Sequence, residues 1–172
     1  MNPLIPSLLL AEDDETDILL FRRALKEADV PNPLHVVRDG REVVDFLTRP
    51  LPPEDDRLPA LLVLDLQMPR LNGFEVLSWL RAQPVLSTIP AFVFSSSGNH
   101  DDIERAHACG ANAFIVKPPS LAERMEIARL VGQWLKFTRP PLAAAEGLSS
   151  ARREHHRRRY GHAPDGTPPG IP

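Results

Sequence analysis

The stretch Ala60-Leu61-Leu62-Val63-Leu64-Asp65 decides the fold of this chain. It is an apolar run without polar–apolar alternation, short and closed by a carboxylate, which is how a strand covered on both faces reads. The same signature recurs on either side of it. Residues 7–11 run into Glu12-Asp13, residues 91–94 into Ser95, and residues 113–116 into Lys117. If these runs lie parallel in one sheet, three carboxylates, a hydroxyl and an ammonium gather along one edge.

The segments between them carry helical periodicity. Ile18, Phe21, Leu25 and Ala28 form one helical stripe, which Pro31 must end. A second cycle follows, with residues 34–38 as a strand, Asp39-Gly40 as a turn and Val43, Val44 and Leu47 as a buried helix face. Residues 50–59, with their prolines and acids, form an exposed loop. After Asp65 a loop through Pro69 reaches Gly73, which opens a helix burying Val76, Leu77 and Leu80. The next helix carries Ile103 and Ala106 and ends at Gly110. Ser120 to Glu123 reads as a capping box before a last helix with Leu121, Met125, Ala128 and Leu135 inside. Five strand–helix cycles are too few for a barrel of eight and predict an α/β fold, a doubly wound five-stranded parallel sheet, for which we expect the flavodoxin-like order 2-1-3-4-5. Ligands bind such sheets where the strand order reverses, which in that order lies between strands one and three.

Composition narrows the function classes. The chain has 172 residues and a formal net charge of −3, without a strongly basic nucleic-acid surface. The single cysteine, Cys109, excludes an internal disulfide and a thiolate metal cage and fits a reducing cytoplasm. The early apolar run is too short for a signal peptide or a membrane span. We expect a folded domain over residues 1–138 and a Pro/Arg-rich tail over 139–172, disordered or an extended arm. That tail is too short and irregular for a helix-turn-helix, so no direct DNA binding is expected.

The polar residues at the strand ends divide by task. Asp14 is placed to cap the first helix, whereas Glu12 and Asp13 come too early for simple capping. With Asp65 in the same crevice, three uncompensated carboxylates would repel one another and raise their own pKa values. A hard cation such as Mg²⁺ resolves that conflict. Asp65 closes the most apolar strand, where a carboxylate is costly unless it has a task, and an aspartate beside a divalent ion suits a phosphoryl acceptor. Lys117 and Ser95 would pair with phosphoryl oxygens. Taken singly, a serine in a serine run and a lysine before a proline are ordinary loop residues; with Glu12, Asp13 and Asp65 they become specific.

These residues together resemble the receiver domain of two-component response regulators. Residues 8–14 (LLLAEDD) are similar to its acidic-pocket strand, Leu64-Asp65-Leu66-Gln67-Met68-Pro69 with Asn72-Gly73 to its phosphoacceptor segment, and residues 110–118 (GANAFIVKP) to its closing strand. The resemblance implies that Asp65 takes a phosphoryl group from a histidine kinase, with Glu12, Asp13, Asp65 and the backbone carbonyl of Gln67 holding Mg²⁺. It implies that Lys117 and Ser95 contact the phosphoryl oxygens, that Ser95 and Phe114 form the switch, and that the Lys117–Pro118 peptide is cis. Phe114 lacks the hydroxyl of the tyrosine common at that position.

A narrower likeness, through residues 17–25 (DILLFRRAL), residues 37–40 (VRDG), the proline-rich loop and Trp134, points to the small regulators paired with bacterial phytochromes. It implies a stand-alone, often homodimeric regulator serving a light-sensing kinase, and no enzyme beyond its own phosphorylation and dephosphorylation. Two rivals stand beside this reading. One is a degenerate receiver acting as a phosphorylation-independent binding module. The other, a phosphatase resembling the haloacid dehalogenase group, needs a second aspartate where this chain has Gln67.

Overall fold

The computed structural model describes residues 5–49 and 58–138. Strands β1 (Leu8–Ala11), β2 (Leu34–Val37), β3 (Leu61–Leu64), β4 (Ala91–Ser95) and β5 (Ala113–Val116) alternate with helices α1 (Glu15–Glu27), α2 (Gly40–Thr48), α3 (Gly73–Arg81), α4 (His100–Ala108) and α5 (Leu121–Phe137). All strand pairs are parallel and the order is β2-β1-β3-β4-β5, as the apolar runs predict. The expected tail and most of the proline-rich loop lie outside the described residues.

The pleat explains why unalternating runs form the sheet centre. Leu9, Ala11, Leu62, Leu64, Ala91 and Val93 face α2, α3 and α4, packing on Val43, Leu47, Val76, Leu77, Leu80 and Ala106. Leu8, Leu10, Leu61, Val63 and Phe94 face α1 and α5, meeting Ile18, Phe21, Leu25, Ala128, Val131 and Leu135. Every residue of β1 and β3 is buried, each Leu or Val contributing about 1.5–3 kcal/mol by leaving water. The edge strands differ. β5 is half-buried and its Val116 is exposed, so the two-face reading of residues 113–116 is corrected: an edge strand has a neighbour on one side only.

Helix boundaries follow local chemistry. Asp14 caps α1 by accepting from Asp17 N at 2.9 Å. Asp39 is an N-cap rather than half of a turn, and Gly40 is already helical, because the Asp39 carboxylate accepts from both Arg41 N and Glu42 N. The reciprocal capping box is at α3, between Asn72 and Glu75. At α5 Ser120 accepts from Glu123 N, while the Glu123 carboxylate turns to the Ser120 hydroxyl instead of its backbone, so the expected box is half formed. Gly110 stops α4 in the left-handed region at φ 96°. A 3₁₀ turn, Leu86–Thr88, without a sequence signal of its own, precedes β4.

Candidate functional site: an acidic pocket around a buried lysine

β1 and β3 are neighbours whose connections leave in opposite directions, so their carboxyl ends open a crevice. Asp65 N donates to Ala11 O at 2.9 Å and Glu12 N to Val37 O at 3.0 Å, which holds both residues at the sheet edge. Glu12 and Asp65 are buried and Asp13 is exposed, and carboxylate oxygens from the three lie within 4.8 Å of one another. Asp65 Oδ1 accepts from Leu66 N at 2.8 Å, and Glu12 Oε1 from Asp14 N at 3.2 Å.

Lys117 enters this pocket from the end of β5. Its backbone N donates to Ser95 O at 2.8 Å, and its Nζ lies 2.6 Å from Glu12 Oε2, 2.8 Å from Asp17 Oδ2 and 3.6 Å from Asp65 Oδ2. Burial pushes Glu12 from 4.5 up to about 7, against the hydrogen bond and charge of Lys117. Burial raises Asp65 as well, although Lys117 and the backbone N–H groups of Leu66 and Gln67 pull the other way. Asp17 is held below its ordinary value, because Lys117 and Arg124 outweigh burial. Lys117 is held above its own, because Asp17, Glu12 and Asp65 outweigh the burial that disfavours its charge.

Ser95 ends β4, fully buried, with its hydroxyl accepting from Ser97 N at 3.2 Å. Phe114 sits opposite Val93, half-buried against the α2–α4 side of the core. The Gln67 side chain is exposed while its N–H faces Asp65. The structure therefore brings Glu12, Asp13, Asp65 and Lys117 into one pocket and places Ser95 and Phe114 on the adjoining strands. One expectation is corrected: the Lys117–Pro118 peptide is trans, the isomer that X–Pro bonds favour by about 0.5–1 kcal/mol.

Residues 8–129 match the model of the response regulator receiver domain. The chain belongs to that family. The response regulator Rcp1 of Synechocystis sp. is 30% identical over 137 residues, in an alignment covering 79% of this chain and 93% of Rcp1. Among solved structures, the phosphorylated cyanobacterial phytochrome response regulator RcpA is 33% identical, with a TM-score of 0.70 over 79% of this chain and 98% of that one. The Mn(2+)-bound form of Rcp1 is 29% identical, with a TM-score of 0.68 over 79% of this chain and 99% of that one. This receiver thus resembles stand-alone regulators associated with phytochromes. No described helix is long and apolar enough to cross a membrane.

Two residues of this receiver's pocket escaped the sequence reading. Asp17 lies in the first turn of α1, where the helix dipole alone favours an acid. Arg124 is buried, with Nη2 2.9 Å from Asp17 Oδ1 and Nε donating to Pro118 O at 2.9 Å. A signal for Arg124 was present. A cation near the amino end of α5 opposes the helix dipole and calls for an acidic partner.

Proposed function

We propose that this receiver accepts a phosphoryl group on Asp65 from a histidine kinase, with Mg²⁺ held by Glu12, Asp13, Asp65 and the Gln67 carbonyl. The observation carrying the reading is the pocket itself: three carboxylates with oxygens within 4.8 Å of one another face a single buried ammonium. An all-oxygen donor set of this kind, with Glu12 pushed up to about 7 by its burial and further by the Asp65 charge, fits a hard divalent cation. Bound there, Mg²⁺ would neutralise charge on the carboxylates and on the incoming phosphoryl oxygens.

In the transfer, an Asp65 carboxylate oxygen attacks the phosphorus of the kinase phosphohistidine. A P–O bond forms, the P–N bond breaks, and the imidazole keeps the electron pair. Leu66 N holds Asp65 Oδ1 at 2.8 Å and so leaves Oδ2, the oxygen on the Lys117 side, for the attack. Lys117 and the Ser95 hydroxyl then hold phosphoryl oxygens, and Ser95 and Phe114 move together to alter the α4–β5–α5 surface that a partner reads. Water attack on phosphorus reverses the state, releasing phosphate and the Asp65 carboxylate. The receiver occupies residues 1–138, acts in the cytoplasm, and sends its output through a protein partner rather than DNA, with a homodimer as one such assembly.

The likeness to Rcp1 and RcpA supports a phytochrome-type kinase as the donor. Autophosphorylated, radiolabelled histidine kinases, phytochrome-type ones among them, test this directly. Label should move to the wild type and not to Asp65→Asn, fastest from a phytochrome kinase; transfer without that preference would remove the phytochrome pairing.

A further inference from the structure

The Lys117 ammonium has three N–H donors, and the geometry divides them unequally. Glu12 at 2.6 Å and Asp17 at 2.8 Å take two, while Asp65 at 3.6 Å is beyond hydrogen-bond reach. The third donor therefore has no close acceptor on Asp65. A phosphoryl group built on Asp65 Oδ2 would extend an oxygen toward Nζ and fill that gap. Glu12, however, is also a carboxylate of the proposed cation site. If its oxygens turn to a cation, Asp17 is the carboxylate left to keep Lys117 in place.

Asp17 is itself anchored from a distant part of the chain. Its Oδ1 accepts from Arg124 Nη2 at 2.9 Å while its Oδ2 holds Lys117, so the carboxylate bridges the two cations. Arg124 is fixed in turn by the Pro118 carbonyl, one residue beyond Lys117, and lies over the Phe94 ring with its carbon 5.8 Å from the centroid. Its Nη1 is buried without a hydrogen-bond partner. A guanidinium leaving one donor unsatisfied is held by its other contacts, and both hydrogen-bonded partners of its side chain here, Asp17 and the Pro118 carbonyl, adjoin Lys117. Asp17 and Arg124 thereby connect the packed α1–α5 pair to the pocket.

We propose that Asp17, braced by Arg124, is a positioning residue that aims the Lys117 ammonium at the phosphoryl oxygens of Asp65. The proposal rests on the phosphoacceptor reading, and its test separates the two. The chain has three lysines, Lys26, Lys117 and Lys136, so ¹⁵N labelling of lysine side chains gives at most three ammonium signals, of which the buried, ion-paired Lys117 should exchange most slowly with water. Asp17→Asn should speed the exchange of that signal and weaken binding of beryllofluoride, a phosphoryl mimic, by about tenfold, the loss of one charge-assisted hydrogen bond. Arg124→Gln, which leaves every Lys117 contact in place, should move both readouts in the same direction by a smaller factor.

If both variants merely lower the melting temperature, leaving the Lys117 signal and beryllofluoride affinity unchanged, Asp17 and Arg124 are structural and the proposal fails. Wild type that binds no beryllofluoride would instead remove the phosphoacceptor reading. The Lys117 exchange rates of the three proteins would still decide whether Asp17 positions the lysine.

Discussion

Lys117 Nζ lies 2.6 Å from Glu12 Oε2, and the two side chains are only 6% and 2% exposed. One ammonium does not neutralise this pocket. Asp17 and Asp65 also crowd around it, and burial still leaves Glu12 pushed up to about 7. The molecule is therefore electrostatically poised to gain from added positive charge.

Stability without divalent metal should fall as pH rises. Glu12 titrates near 4.5 unfolded and at about 7 folded, so its contribution is complete below pH 4.5 and lost as pH climbs through 7. The raised Asp65 acts in the same sense, whereas the lowered Asp17 opposes it, contributing above its unfolded value of 3.8 and losing that contribution on acidification. The Glu12 share is on the order of 3 kcal/mol between pH 4.5 and 7. Melting curves in a chelator from pH 5 to 8 should show the decline, Glu12→Gln should flatten it, and Mg²⁺ should raise the melting temperature most at the alkaline end. A slope identical in wild type and Glu12→Gln would count against this assignment.

Gly73→Ala should injure the pocket through the backbone. A Cβ there would strike the backbone carbonyl of Asp65 and approach Leu66 Cα to 2.8 Å, driving α3 away from the end of β3. The expected cost is about 1–3 kcal/mol, with slowed phosphorylation even well below the melting temperature. Denaturant titration and a phosphorylation time course check the two effects; an unchanged rate would show that the Asp65 backbone tolerates the shift.

Arg81→Ala should separate stability from chemistry. Arg81 donates to the carbonyls of Gly110, Ser87 and Ile89 and to Asn112 Oδ1, all at 2.9 Å, tying α3 to the segments before β4 and β5. Removing it should cost about 2–4 kcal/mol in urea unfolding and leave the extent of phosphorylation unaltered at about 15 °C, near where folded domains are most stable. A loss below about 1 kcal/mol would mean that water replaces these bonds.

Much of this was legible because burial on both faces leaves a plain imprint. Residues 60–65 announce a central strand and its terminal acid, and parallel order then brings Glu12, Asp13, Asp65 and Lys117 together with no further information. What escaped depends on side-chain reach. Asp17 and Arg124 sit on α1 and α5, and only the packing of those helices reveals that one carboxylate bridges two cations. Asp39 reads as a turn residue until its two backbone donors and the nearby Arg70 guanidinium show a buried cap. The edge position of β5 likewise follows from sheet order, since residues 113–116 are as apolar as the central strands.

The most direct test of the central claim is intact mass after incubation with a small-molecule phosphodonor and Mg²⁺, comparing wild type with Asp65→Asn. A Mg²⁺-dependent gain of one phosphoryl group in the wild type, absent in Asp65→Asn, is the predicted result. No gain in the wild type with any donor or divalent metal, or an equal gain in Asp65→Asn, would contradict it.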